Sequence, residues 1–306
     1  MGQIFSALAP VFLLILLGYL IRWRALIADS FWVSAEKMTY FLFFPALLLS
    51  NTAKADFGSL DLAPMIAAAV IAVLLVAGLA GLLRPRLNLS GPSYTSVFQA
   101  FMRPNVYLGI AAAYALYGEA GLTLVSVCVA VLVPLVNVLG VLVLVRHAGT
   151  GDTTAGWKQA IGPVARNPLI IACGLGTALN VSGLGLPPLA GPFLEILGRA
   201  ALPVGLLAVG AGLDLAALKT SGRLVGLTSV VKLIVLPGLT YAACLGFGVS
   251  GLAVTISVLY ASLPNSATSY VLARQMGGDT TLLAGSITAS TLLAMLTMPL
   301  IAVLLP

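Results

Sequence analysis

Arg103-Pro-Asn-Val-Tyr-Leu-Gly109 and Ala261-Ser-Leu-Pro-Asn-Ser266 each set the dipeptide Pro-Asn in the middle of a long apolar stretch. Each copy follows the same landmarks, Pro45 and Asp56 before Pro104-Asn105, and Pro203 and Asp214 before Pro264-Asn265. The proline-to-aspartate interval is 11 residues in both halves, and the interval from that proline to Pro-Asn is 59 in one and 61 in the other. Matched intervals mark the chain as a duplication with one helix broken in each copy. Broken helices at corresponding positions of two halves point to the binding site of a secondary transporter.

Composition fixes the solvent. The 306 residues are 60% hydrophobic and 8% charged, with a mean hydropathy of +1.10. A water-soluble domain carries about a quarter charged residues. Charge-free runs at 1–21, 62–83, 120–145, 233–273 and 280–306 reach or exceed the roughly 20 apolar residues needed to cross a bilayer. The chain therefore reads as an all-α membrane protein with ten transmembrane helices, at about 3–22, 37–53, 63–83, 94–117, 121–145, 166–182, 193–213, 223–246, 252–274 and 280–304. The first is read as a retained helix, because its basic residues follow the apolar run instead of preceding it. Residues 1–146 form the first five-helix repeat, 147–165 a cytoplasmic connecting loop and 166–306 the second repeat.

Orientation follows from the basic residues. The loops after spans 1, 3, 5, 7 and 9 hold Arg22, Arg24, Lys37, Arg84, Arg86, Arg146, Lys158, Arg166, Lys219, Arg223 and Arg274, whereas the opposite side holds Lys54 and Arg199. Odd-numbered loops are then cytoplasmic, and both termini lie outside the cytoplasmic (inner) membrane. With an odd number of spans per repeat, the two halves are inverted relative to each other. The net charge of +6 is this topological excess, and no basic patch calls for a nucleic-acid partner.

Catalytic signatures are absent from the sequence. His147 is the one histidine and Cys128, Cys173 and Cys244 are isolated, which gives neither metal-ligand spacing nor a nucleophile-base motif. The chain is read as no enzyme, with no cofactor. H⁺ or Na⁺ coupling is left open.

The Pro-Asn pairs carry the chemistry. A proline in a helix interior removes a hydrogen bond and crowds the carbonyl four residues back, here Ala100 and Tyr260. In hydrocarbon, the freed groups need protein, water or ligand. Asn is a strong N-cap type, so half-helices starting at Val106 and Ser266 would present a partial positive charge suited to a carboxylate. The freed carbonyls suit a cation or a protonated group. A plain proline kink is the competing explanation. Arg103 precedes the first break, and Lys232 lies nine residues into span 8, about 14 Å at helical rise. A basic group at the bilayer centre costs about 2.5–3.5 kcal/mol on insertion scales. An anionic substrate, a water-filled vestibule or Asp214 are the candidates to offset it, with snorkelling to the headgroups as the alternative. Asn51 and Asn137 are polar groups in apolar runs, expected to face the interior, and Asn137 is a candidate for the site. Glu195 and Arg199 are expected to pair, and Gly238, Ala242 and Gly246 to form a close-packing ladder.

The motif Arg103-Pro-Asn-Val-Tyr resembles the Asn-Pro-Asn-Thr-Tyr signature of the auxin efflux carrier family, which includes the plant PIN-FORMED proteins and bacterial organic-anion carriers. Pro45-Ala-Leu-Leu-Leu-Ser50, Lys232-Leu-Ile-Val-Leu-Pro237, Ala261-Ser-Leu-Pro-Asn265 and Ala294-Met-Leu-Thr-Met-Pro299 are similar to stretches of its second, eighth, ninth and tenth helices. The chain departs at Arg103, where the family pattern has Asn, and at Asn265, where plant members have Gln. The resemblance implies the fold of bile acid:sodium symporters, with helices 4 and 9 crossing at their breaks and substrate bound beside the crossing. It also implies a core that moves, elevator-fashion, against a scaffold of helices 1, 2, 6 and 7, and a homodimer formed through that scaffold. The site residues are then Arg103, Pro104, Asn105, Val106, Tyr107, Asn137, Pro264, Asn265 and Ser266, with Lys232 and Asp214 as supporting charges. The substrate expected is a small organic anion, either an indole acid or a malonate- or malate-like dicarboxylate, moved across the lipid bilayer. An anion channel and a transmembrane sensor without transport are the alternatives. A channel would need a continuous polar stripe, and a sensor an output domain.

The basic asymmetry makes a direct prediction about topology. Ser59→Cys and Glu119→Cys should react with an impermeant thiol reagent in intact cells, and Asp29→Cys and Thr154→Cys only after permeabilisation. Equal labelling of all four positions would end the inverted-repeat reading.

Overall fold

The structure is a computed structural model that describes residues 2–55, 62–148, 166–219 and 222–305. Asp56 and the connecting segment 149–165, both used in the sequence reading, lie outside the described residues. All regular elements among the described residues are helical. They are α1 (Gly2–Trp23), α2 (Asp29–Met38), α3 (Phe44–Lys54), α4 (Leu62–Leu87) and α5 (Gly91–Met102). The next helix, Val106–His147, turns at Gly118 (φ 58°, ψ −143°) into two limbs, α6 (106–117) and α7 (119–147). Then follow α8 (Pro168–Val181), α9 (Ala190–Arg199), α10 (Ala201–Ala211), α11 (Gly222–Val230), α12 (Leu236–Gly246), α13 (Leu252–Ala261), α14 (Ala267–Met276) and α15 (Thr280–Leu304). Among the described residues, six helical stretches are long and apolar enough to cross a membrane, namely α1, α4, α6 with α7, α9 with α10, α11 with α12, and α15, and α8 and α13 are shorter apolar helices. Leu13, Leu17, Phe41 and Leu42 stand exposed on the outside, as a hydrocarbon solvent permits.

Two π-helical segments, Thr39–Phe43 and Val231–Val235, each end two residues before a proline, Pro45 and Pro237. The proline ring cannot tolerate a normally placed carbonyl four residues back, here that of Phe41 or Leu233. The wider π turn is one local way to relieve that clash. Helix starts follow ordinary capping chemistry. Ser90 Oγ accepts from Ser93 N–H at 3.3 Å, Asn167 Oδ1 from Leu169 N–H at 3.0 Å and Asp279 Oδ1 from Leu282 N–H at 3.0 Å. Gly277, in the left-handed region at φ 80°, ends α14.

The chain divides into two compact units, each drawn from three segments. Unit 1 comprises 1–60, 107–130 and 165–213, and its helices meet at glycines. A Cβ on Gly18 would stand 2.1 Å from the Leu207 carbonyl oxygen, and one on Gly210 would stand 1.8 Å from that of Ile15. The α1 and α10 backbones therefore touch directly. Gly176 on α8 likewise faces Thr52, and Gly198 on α9 faces Leu47 of α3. Polar groups close the helix ends. Asn180 Nδ2 donates to the carbonyls of Ala53 (3.1 Å) and Ala55 (2.7 Å), and Arg22 Nη1 donates to that of Ala211 at 2.6 Å. Asn51 is buried and donates to Glu119 Oε2 at 2.7 Å. Glu195 pairs with Lys54 on α3, not with Arg199 as its spacing suggested; the tertiary partner displaces the one four residues along.

Unit 2 comprises 61–106, 131–164 and 214–306 and contains both proline breaks. The start of α5 is tied to the turn before α15. Asp279 N–H donates to Pro92 O (3.3 Å), while Ser93 Oγ and Ser96 Oγ donate to Asp279 Oδ2 (2.9 Å) and O (3.0 Å). A buried polar face of α15 runs behind α11 and α13, with Ser286 Oγ 3.0 Å from Thr228 Oγ1. Gly238 and Gly246 on α12 would meet nothing within 4 Å if given a Cβ. The expected small-residue ladder is thus not a close-packing face among the described residues.

This contrast is testable. Gly210→Ala forces a methyl into the Ile15 carbonyl and should cost about 1–3 kcal/mol, the range for overpacking. Gly238→Ala, with open space and better helix propensity, should leave the melting temperature unchanged or raise it slightly. Thermal unfolding of the two purified variants in one detergent checks the ordering, and equal melting temperatures would refute the direct α1–α10 backbone contact.

Candidate functional site

The site grows from the two breaks. Helix α5 stops at Met102; Arg103 is extended (φ −81°, ψ 109°) and its N–H returns to Gln99 O. Helix α13 stops at Ala261, and α14 resumes at Ala267 after an extended Ser266 (φ −87°, ψ 138°). The two interruptions lie antiparallel, with Pro104 paired to Asn265 as an isolated bridge. Asn105 N–H donates to Pro264 O at 2.8 Å, and Ser266 N–H donates to Arg103 O at 3.3 Å. Each break thus satisfies part of the other's backbone, as buried non-helical chain at membrane depth must. Asn265 N–H goes instead to Ser290 Oγ on α15, at 3.0 Å.

Arg103 is 9% exposed. Its Nη1 donates to Gln99 Oε1 at 3.2 Å and its Nη2 to Asn137 Oδ1. Gln99 stands one helical turn before Arg103, so both side chains leave the same face of α5. Gly140 on α7 borders the pair: a Cβ at that position would lie in ordinary contact, 3.7 Å from Gln99 Oε1 and 3.8 Å from Arg103 Nη1. Both of these acceptors are neutral amide oxygens. Two buried amides close by are unsatisfied. Asn265 is 0% and Gln99 1% exposed. Among the described residues, neither Nδ2 nor Oδ1 of Asn265, nor Nε2 of Gln99, has a hydrogen-bond partner. A buried polar group left in this state costs about 1–3 kcal/mol, and such orphans in a native fold call for an explanation.

Lys232 reaches the same region from the π segment between α11 and α12. It is 0% exposed, and its ammonium donates to Ala261 O at 2.8 Å. The sequence reading placed it nine residues into span 8; the side chain's length brings its Nζ to the last residue of α13, at the second break. Beside it Met102, Pro104, Val136, Thr240 and Tyr260 line a recess with room for about one water molecule.

The remaining candidates divide. Pro104, Asn105, Pro264 and Asn265 are at the crossing, Asn137 is bound to Arg103, and Val106, half-buried, opens α6. Ser266 is at the crossing in the role expected of Asn265. Its Oγ accepts from Thr268 N–H at 3.3 Å and caps α14, which leaves the Asn265 amide uncommitted. Tyr107 belongs to unit 1, where its ring stacks on Phe44 at 4.5 Å between centroids. Asp214 is exposed, and its Oδ1 accepts from Ala216 and Ala217 N–H, a local turn cap. Gln99 and Ser290 were missed by the sequence reading. The signal for Gln99 was an amide four residues before a buried arginine; Ser290 had none, since a serine in an apolar helix more often bonds its own backbone.

Among the described residues there is no His, Cys, Asp or Glu cluster of metal-binding size. The polar atoms at the crossing are guanidinium, ammonium, amide, hydroxyl and carbonyl groups. They include strong donors for an anion, and no acid-base pair.

Comparison with known proteins identifies the family. Residues 3–302 match the model of a family described as membrane transport protein. An uncharacterized transporter from Methanothermobacter thermautotrophicus is 26% identical over 297 residues, covering 96% of this chain and 96% of its own. With a family match that runs nearly end to end, the chain belongs to the membrane transport proteins of the auxin efflux carrier type.

Proposed function

We propose that this transporter carries a small organic anion and binds its carboxylate at the crossing of the two breaks, beside Arg103. The observation that carries the reading is the pair of unsatisfied buried amides, Asn265 and Gln99, next to a buried guanidinium. An anion held beside Arg103 would complete the hydrogen bonds that the described residues leave open at Gln99 Nε2 and Asn265 Nδ2. Substrate binding also accounts for Arg103 at membrane depth, where a positive charge is costly.

In this reading the architecture is ten spans in two inverted repeats. Counting α5 with α6, and α13 with α14, as single broken helices joins them to the other apolar helices in that total. The matched intervals in the sequence support the repeat. The two compact units support alternating access of the elevator type, because each takes segments from both halves of the chain. Unit 1 contains the first, second, sixth and seventh spans, the set that the resemblance assigns to a dimerising scaffold, together with residues 107–130 of the fourth and fifth; unit 2 contains both breaks. A homodimer through unit 1 and extracytoplasmic termini complete the proposal. A channel is disfavoured because Arg103 and Lys232, the buried charged side chains among the described residues, both stand at the breaks instead of being strung along several spans.

Arg103→Gln should weaken binding of short mono- and dicarboxylates ten- to a hundredfold, the equivalent of a charge-assisted hydrogen bond of about 1.5–3 kcal/mol. Arg103→Asn, which restores the family's residue, should shift preference from dianions to monoanions such as indole acids. Asn265→Ala should reduce affinity without lowering the melting temperature, since its amide holds no other described group. Affinities measured on a panel of carboxylates at fixed salt and pH decide the matter. Arg103→Gln binding every acid as wild type does would exclude direct anion recognition by Arg103.

A further inference from the structure

The Lys232 Nζ donates to a carbonyl at the end of α13. Ala261 is the last residue of α13, and a continuing helix would give its carbonyl the N–H of residue 265. That N–H is committed to Ser290 Oγ, and Pro264, one position nearer, has none. The carbonyl is freed by the break itself, and its oxygen receives the Lys232 Nζ at 2.8 Å. Lys232 is completely buried and forms no ion pair among the described residues. Its placement is built, since it belongs to the π turn imposed by Pro237. The adjoining recess, with room for about one water molecule, is lined by the hydroxyl-bearing Thr240, Ser257 and Tyr260. A carbonyl and hydroxyl oxygens around a water-sized space make a site for a small monovalent cation. The interval of 160 residues between the two prolines maps Lys232 onto Ala72 of the other half, so the first break has no equivalent lysine.

We propose that Lys232 is a tethered monovalent cation that fills a cation site at the carbonyl end of the second break. Removing the side chain should uncover a site that takes Na⁺ or a small ammonium ion. For transport, the consequence is anion binding that needs no dissolved Na⁺. That consequence rests on the crossing being the substrate site, whereas the cation site rests on the geometry of Lys232 alone.

The test is thermal unfolding of the purified full chain, with no substrate added, in chloride salts of sodium, methylammonium and choline at equal ionic strength. Wild type should melt at the same temperature in all three. Lys232→Ala should melt lower in choline chloride and regain about 2–4 °C, saturably, in sodium or methylammonium chloride, because choline is too large for the recess. Lys232→Met keeps the volume without the charge and should melt below wild type in every salt. Lys232→Ala responding alike to all three salts would overturn the proposal. So would a wild type stabilised by Na⁺ alone, or Lys232→Met matching wild type. Should Lys232→Ala fail to fold in any salt, the methionine variant decides. No arm uses an anionic substrate, so failure here leaves the carrier reading to stand or fall on Arg103→Gln.

Discussion

Backbone groups released by two prolines inside an apolar protein must find partners, and unit 2 is organised around that requirement. An unsatisfied amide or carbonyl away from water costs several kcal/mol in hydrocarbon. The two breaks meet part of the demand mutually, through Asn105 N–H to Pro264 O and Ser266 N–H to Arg103 O. The rest comes from neighbours, with Ser290 of α15 taking Asn265 N–H and Lys232 supplying Ala261 O. The anchor of α5 on Asp279 and the buried hydroxyl face of α15 serve the same end, because bonds of about 2.8–3.3 Å survive only if the helices around them are fixed. Backbone chemistry thus comes first, and the side-chain site is fitted to it.

The two breaks share a dipeptide and differ in surroundings. The first carries its charge on the chain itself, at Arg103, with Gln99 and Asn137 as acceptors. The second carries no charge of its own and borrows one from Lys232 on a different helix. The dipeptide is the same, yet the cations are placed differently: Arg103 stands in the first break's own chain and Lys232 at a carbonyl freed by the second. Their tasks are different in kind. The guanidinium presents several N–H groups in a planar fork, suited to a carboxylate. The ammonium is a compact charge suited to a single oxygen.

Much of this was legible in the sequence because prolines and charges in an apolar run have few explanations. The breaks at Pro104 and Pro264, the burial of Asn51, and the start of α6 at Val106 follow from local rules about ring sterics and desolvation. What was not legible depends on tertiary distance. The reach of Lys232 from its own helix to Ala261 is set by a π turn and a long side chain, and spacing along the chain does not encode it. Glu195 found Lys54 because α3 and α9 pack together, which no interval of four residues reveals. The cap on α14 fell to Ser266 and not Asn265, since both types cap well and one residue of offset decides which is used. The glycine contacts between α1 and α10 were equally silent, as Gly18 and Gly210 read like any other glycine in a membrane helix.

A carrier has to release what it binds, and the composition of the proposed site suits that need. A second fixed cation facing the substrate would strengthen the ground state and slow release; here the second cation is engaged with a backbone carbonyl. The amides of Gln99 and Asn265 contribute differently. With Gln99 Nε2 and both polar atoms of the Asn265 amide left without described partners, each carries a desolvation cost of about 1–3 kcal/mol, and in the proposed reading an arriving carboxylate would gain affinity by relieving it. Water entering after departure relieves it as well, since a water in a polar site forms two to four hydrogen bonds. Binding and emptying then differ by an exchange of a carboxylate for water at neutral donors, plus one charge-assisted contact at Arg103. Such a site holds its anion by a modest margin and gives it up once solvent reaches the crossing.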